Sequence, residues 1–282
     1  MIGGVIMPEM PELETIKRSL EPHIQGKRIK NINLLLSRQI KHPTPGEFVN
    51  RLLFRVIDRL ERRGKYLILH MDNQISLVFH LRMTGQVCYC PPGAPEQKHA
   101  RIVFHLNDGG SLVYADSRTL GTIYAMKPNE LNQIKGLAEL GPEPLSAEFT
   151  MEYLEKVCTG RQGAIKSFLL DQSVIAGLGN IYVDEALFLA GIHPIRTPAS
   201  VTADELTRLY ESINKVIADG INDGGTTFRD YRDGNGDKGS HQDNLFAYGR
   251  DGQPCRKCGT IMQKIRVGGR GTHFCPQCQM MN

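Results

Sequence analysis

The chain has 282 residues, 40% hydrophobic and 23% charged, with 34 Lys and Arg against 30 Asp and Glu for a net charge of +4. That length exceeds one small core and favours two domains, while so slight a basic excess does not by itself identify a nucleic-acid partner. No apolar run approaches the roughly 18 residues of a spanning helix, which excludes a helical membrane protein. The opening MIGGVI has no basic n-region of a signal peptide, so a cytoplasmic location with reduced thiols is the expectation.

From Pro8 onward, Leu13, Ile16, Leu20 and Ile24 recur at helical spacing, and Pro8, Glu9, Pro11 and Glu12 suit the first turn of an amphipathic helix. Segments 65–71, 74–80, 101–106 and 111–115 are short, rich in β-branched and aromatic residues, and separated by Asp, Asn and Gly turns. They predict an antiparallel sheet system. The stretch GLAELGPEPLS over 136–146 is punctuated by Gly and Pro and marks a domain boundary, after which helical periodicity runs to about Ile221. Residues 224–244 are glycine-rich and polar with little apolar periodicity, and predict a mobile loop that buries little of itself. No internal repeat is present.

The strongest chemical signal is C-terminal. Cys88, Cys90 and Cys158 are scattered, whereas Cys255, Cys258, Cys275 and Cys278 form two C-x2-C pairs separated by sixteen residues. Two such pairs can complete the tetrahedral thiolate shell of one structural Zn²⁺; two redox pairs are the competing reading. Between the pairs, Ile261, Ile265 and Val267 read as a strand, the run from Gly268 to Gly271 as a turn, and His273 with Phe274 as a return strand. From Arg250 onward six basic residues stand against one acidic, a net +5 that exceeds the whole-chain charge. A basic hairpin with Arg270 at its tip suits a phosphate backbone, since released counterions drive such association.

Three further blocks, PEMPELET at 8–15, RRGKYL at 62–67 and LLDQSVIAGLGNIYVDEALFLAGIHP at 169–194, together with the cysteine hairpin, resemble the formamidopyrimidine-DNA glycosylase family of base-excision repair enzymes, related to endonuclease VIII. The resemblance implies an α+β fold, with an N-terminal β-sandwich and edge helices, then a helix-two-turn-helix domain and a zinc-bound β-hairpin. The expected arrangement is a leader over 1–7 absent from the mature protein, a catalytic domain over 8–135 and a hinge over 136–147. A helical domain over 148–248, including the loop 224–244, and a zinc finger over 249–282 follow.

The resemblance also implies roles. The secondary amine of an N-terminal proline, here Pro8, attacks the anomeric carbon of the damaged nucleotide to form a Schiff base, with Glu9 as the acid/base carboxylate. Helix-start chemistry is the plain alternative for both. Seven residues precede Pro8, and an amide nitrogen is not nucleophilic, so translation from Met7 followed by removal of that methionine is the expected resolution. Lys65 approaches the lesion and its 3′ phosphate, and Asn180 and Arg270 grip flanking phosphates. His80, His99 and Lys166 are further DNA contacts. Met83 fills the stack vacated by the flipped base, Arg118 reads the orphaned partner base, and Leu120 wedges beside it where oxidised-purine enzymes commonly carry phenylalanine. Arg101 stands where a histidine is frequent. Thr226, Thr227, Phe228 and Arg229 occupy the place of a loop that caps an everted 8-oxoguanine through backbone N–H groups.

The resulting expectation is a monomeric bifunctional glycosylase and AP lyase, acting on double-stranded DNA that contains an oxidised purine or abasic site. One structural Zn²⁺ is its only cofactor, and its DNA would bring it to the nucleoid. An oxidised-pyrimidine glycosylase of the endonuclease VIII type is the competing enzyme. A non-catalytic damage-binding protein is the reading if Pro8 stays blocked, and a zinc-ribbon accessory subunit leaves the Pro8, Lys65 and Asn180 blocks unexplained.

Overall fold

A computed structural model describes residues 7–281 and divides into two compact units. One runs up to Ala138 and takes back Asp223–Gln242; the other comprises Glu139–Asn222 and the chain from Asp243 onward. The leader expected over 1–7 lies outside the described residues except for Met7. Among the described residues, no helix is long and apolar enough to cross a membrane.

The first unit opens with helix α1 (Met10–Ile24), which starts where the Glu9 N–H donates to the Glu12 carboxylate at 2.9 Å and Pro11 sets the first turn. Leu13, Ile16, Leu20 and Ile24 are at most 1% exposed, as their spacing requires, and each contributes about 1.5–3 kcal/mol by burial. Strands β1 (Ile29–Leu34) and β2 (Ile40–His42) and helix α2 (Pro45–Leu52) follow; the Thr44 hydroxyl caps α2. Then come β3 (Ile57–Arg63), β4 (Tyr66–Met71), β5 (Ser76–His80), β6 (Gly85–Cys90), β7 (Ala100–Leu106), β8 (Ser111–Asp116), β9 (Thr122–Met126) and the short α3 (Lys135–Ala138). They build a four-stranded sheet in the order β1-β7-β8-β6 and a five-stranded sheet in the order β2-β9-β5-β4-β3. All pairs are antiparallel except β2 with β9. One apolar core joins them: Phe104 and Tyr114 from the first sheet, Leu67, Phe79 and Ile123 from the second, and the inner face of α1.

The returning segment 223–242, which follows the helical unit in sequence, packs by its contacts with the first unit and is anchored there. Tyr231 joins the apolar core. The Thr226 N–H donates to Glu12 at 2.7 Å, the Gly234 N–H to the Ser19 hydroxyl at 2.8 Å, and the Tyr89 N–H to the Gly234 carbonyl at 2.8 Å. Gly239 must lack a side chain, because a Cβ there would stand 2.1 Å from the Gly225 carbonyl oxygen. Lone anchors spread along a polar segment leave no periodic trace, which is why composition suggested an unpacked loop.

The second unit contains α4 (Met151–Cys158), α5 (Ile165–Leu169), α6 (Asn180–Ala190) and α7 (Ala203–Asn222), then the hairpin β10 (Gln263–Val267) and β11 (Arg270–Phe274). Helix α6 ends at Gly191 in the left-handed conformation. It is buried on every side, including two carboxylates, Asp184 and Glu185. Glu185 accepts the N–H groups of Phe246, Ala247 and Tyr248 at 2.8–2.9 Å and so ties the chain entering the cysteine module to α6. Burial raises the pKa of Glu185 despite those three donors.

Candidate functional site

In the first unit, Pro8 is buried directly ahead of α1 and lines a narrow pocket with Glu12, Thr226, Phe228, Arg229 and Tyr231. The fold thus brings the expected nucleophile to three of the four expected capping residues. Glu12, which the sequence reading used only as a helix-start acid, is the organiser. One carboxylate oxygen takes the Glu9 N–H and the other the Thr226 N–H, at 2% exposure. Glu9, equally buried, lies beside Pro8.

The four capping residues do not all present themselves as expected. The Thr226 N–H is committed to Glu12 and the Thr227 N–H to the Gln242 side chain at 2.8 Å, so these two amides already have acceptors. The Thr227 hydroxyl also takes the Gly239 N–H. Phe228 and Arg229 are the more exposed pair at the pocket.

Lys65 sits in the tight turn between β3 and β4, where Arg63 pairs with Tyr66 and Gly64 has φ +54°. It is 6% exposed. The arm beside it is braced: Arg62 donates to Glu14 at 3.0 Å, and Arg18 does so at 2.8 Å. Burial alone would raise the Glu14 pKa, but these guanidinium contacts hold it at about 2. His80 pairs with Tyr66 across β4 and β5 and packs edge-on against its ring. Burial, then the charges of Arg82 and Lys65, push the His80 pKa down to about 3, so the imidazole is neutral at pH 7. Its Nδ1 is buried without a hydrogen-bond partner.

Two of the expected probe residues meet: an Arg118 Nη donates to the Met83 sulfur at 3.8 Å, and Leu120, two residues after Arg118, is 45% exposed. Their turn is organised by Asp116, which the sequence reading missed. Its carboxylate takes the Thr84 hydroxyl, the N–H groups of Arg118 at 3.2 Å and Gly121 at 2.9 Å, the Tyr114 hydroxyl and the Gln39 amide. Burial opposes ionisation, and these donors hold the carboxyl below its usual range. His99 is exposed at φ +62°, and its carbonyl accepts the Asp116 N–H; Arg101 donates to the Asp116 carbonyl at 2.8 Å.

In the second unit, Asn180 begins α6 and donates its amide to the Gly271 carbonyl at 3.0 Å, directly beside the exposed Arg270. Lys166 is a correction. It is 0% exposed, its ammonium bonded to Asp184 at 2.6 Å and to the Gly271 carbonyl at 2.9 Å, so it is an internal tie and not a phosphate contact. Sequence gives no measure of such burial, although charges inside the apolar run VDEALFLA signal that Asp184 and Glu185 require buried partners.

Cys255, Cys258, Cys275 and Cys278 converge with all four sulfurs within 4.8 Å of one another. The Cys255 and Cys278 sulfurs are 3.9 Å apart and those of Cys258 and Cys275 3.5 Å. Tetrahedral coordination with Zn–S of about 2.3 Å places sulfurs roughly 3.8 Å apart, so the four thiols fit one zinc ion. Backbone N–H groups of Lys257 and Cys278 point at the sulfurs of Cys255 and Cys275 at 3.4 Å, the polarity that thiolates require.

A two-sheet unit with a proline-led helix, a helical unit and a four-cysteine hairpin follow one another along the chain, and three family models match these parts in the same order. Residues 7–123 match the formamidopyrimidine-DNA glycosylase N-terminal domain, 140–232 its H2TH domain, and 252–279 the zinc finger found in FPG and IleRS. The formamidopyrimidine-DNA glycosylase of Symbiobacterium thermophilum is 49% identical over 97% of this chain and 89% of its own. That of Desulforamulus reducens is 46% identical over 97% and 99%. A Lactococcus lactis FPG variant in complex with Fapy-dG containing DNA has a TM-score of 0.91 at 36% identity, covering 97% of this chain and 100% of that one. Lactococcus lactis FPG with abasic-site DNA gives 0.90 at 36% identity over the same shares. The chain belongs to the formamidopyrimidine-DNA glycosylase family.

Proposed function

We propose that this protein excises oxidised purines, 8-oxoguanine and formamidopyrimidines, from double-stranded DNA as a bifunctional glycosylase and AP lyase. The observation that carries this reading is the pocket in which Pro8 meets Thr226, Phe228 and Arg229. The working chain begins at Pro8, with residues 1–7 absent, a reading supported by the family's N-terminal domain matching from Met7. A free α-amine titrates at roughly 8, so a useful fraction of the Pro8 nitrogen is unprotonated near neutrality. Its lone pair attacks C1′ and the base leaves with the glycosidic electron pair. Glu9 protonates the ring oxygen as the sugar opens to the iminium and then shuttles protons during β and δ elimination of the 3′ and 5′ phosphates.

Lys65, His80, Asn180 and Arg270 supply phosphate contacts, His80 as a neutral donor. Met83, Arg118 and Leu120 occupy the gap and meet the partner base. When bound, the zinc supplies structure alone, because four cysteines leave no open position. The protein acts as a monomer at the nucleoid, within the cytoplasm. The test is base release by the chain beginning at Pro8, from matched duplexes carrying 8-oxoguanine, a formamidopyrimidine or an oxidised pyrimidine. Preferential purine release is the expected outcome. A preference for the pyrimidine duplex supports the endonuclease VIII type instead, and the non-aromatic wedge Leu120 is the feature that favours it.

A further inference from the structure

The zinc site and Arg270 lie at opposite ends of one hairpin. Arg270 opens β11 and Cys275 follows its last residue, so at about 3.4 Å per residue the arginine stands roughly 17 Å along the strand from the nearest ligand. The metal pins the base of the hairpin; something else must hold the tip.

That hold comes from α5 and α6. The Gly271 carbonyl, one residue from Arg270, accepts from Lys166 Nζ at 2.9 Å and from the Asn180 amide at 3.0 Å. Asp184, one helical turn after Asn180, accepts Lys166 Nζ on one oxygen at 2.6 Å and the His273 N–H on the other at 2.9 Å. Both side chains of the ion pair are fully buried. The turn itself leans on α5: a Cβ at Gly268, which has φ +54°, would come within 2.4 Å of the Ser167 hydroxyl.

A buried ion pair is a poor stability device, because desolvation of both charges cancels most of their attraction and apolar substitutes often do as well. Its geometry is what an apolar pair would not reproduce. Lys166 and Asp184 fix two successive registers of β11, at Gly271 and His273, relative to the start of α6. We propose that the Lys166–Asp184 pair is a positioning device for Arg270, holding the hairpin tip so that Arg270 and Asn180 engage the same stretch of phosphate backbone. This rests on the reading above that Arg270 binds DNA phosphate.

The experiment is a double-mutant cycle on DNA affinity, with an abasic-site analogue duplex titrated across salt concentration. Lys166→Met with Asp184→Asn removes both charges at similar volume, and Arg270→Ala is measured in each background, with zinc content and thermal midpoint recorded for every protein. Arg270→Ala alone is expected to weaken binding about tenfold and to lower the salt slope by about 0.9, the signature of one phosphate contact. The pair variant should keep its zinc and show the same loss, and Arg270→Ala should then add less than about twofold, since the arginine is already misplaced. A purely structural pair would lower the thermal midpoint yet leave the full Arg270→Ala effect, and that additivity overturns the inference. No effect of Arg270→Ala in the unaltered protein refutes the phosphate reading itself, and with it the inference. Should the pair variant fail to fold, Gly268→Ala, strained by the left-handed φ of +54° at that position, perturbs the exposed turn without touching either charge. Non-additivity with Arg270→Ala is then expected, and additivity overturns the proposal.

Discussion

Replacing Glu12 by Gln tests whether one buried carboxylate couples the start of α1 to the glycine-rich segment beside Pro8. Glu12 accepts two backbone N–H groups, from Glu9 at 2.9 Å and from Thr226 at 2.7 Å, and only 2% of it is exposed. Gln keeps the shape but offers one oxygen and one NH2, so one of the two amides loses its acceptor and faces a donor. A hydrogen bond to a charged group contributes about 1.5–3 kcal/mol and an abandoned buried donor costs about 1–3 kcal/mol, so a local loss of at least about 2 kcal/mol follows. Native-state hydrogen exchange reads it directly. The Thr226 amide should exchange at least about 30-fold faster in the variant, the equivalent of about 2 kcal/mol, unless the Glu9 amide takes the loss instead and shows that change. Unchanged protection at both amides would refute the reasoning, because it would mean that neither bond carries the segment.

Glu14 makes a pH prediction. Its folded pKa of about 2 lies below its ordinary 4.5, so its contribution to stability is complete above the ordinary value and is lost as pH falls from there toward 2. Glu14→Gln should therefore flatten denaturant stability between about pH 5 and pH 2, by about 1–2 kcal/mol after allowing for solvent screening. An unchanged acid slope would contradict the Arg62 and Arg18 braces. Removal of zinc by a chelator should release about one ion per chain and unfold the Cys255 to Cys278 module, reducing DNA affinity and its salt dependence. Retained affinity in metal-free protein would separate the finger from DNA binding.

Much of the scaffold could be read from residue order. The alternation and turn residues of 65–80 and 101–115 located four strands, because each is built by local pattern. The cysteine spacing located the metal site, because two tight turns impose it. What escaped were the carboxylates that organise the site. Glu12 meets Thr226 across 214 positions, and Asp116 serves donors from several separate turns, so neither partner set has a local signature. Lys166 misled for a related reason: a lysine in a DNA-binding protein suggests phosphate, and only the three-dimensional contact with Asp184 shows that it faces inward. Asp184 and Glu185 carried a local signal that the sequence analysis left unused, since two acids within an apolar helix have to be buried against donors.

The proposed chemistry requires a free nitrogen on Pro8. Borohydride trapping on a duplex carrying 8-oxoguanine opposite cytosine, with intact mass and peptide mapping of the same preparation, reads that nitrogen directly. A reduced adduct on Pro8, in protein lacking residues 1–7, is the predicted result. If protein correctly beginning at Pro8 forms no adduct on this duplex, nor on abasic-site or oxidised-pyrimidine duplexes, the Schiff-base mechanism is contradicted and a non-catalytic damage-binding protein takes its place.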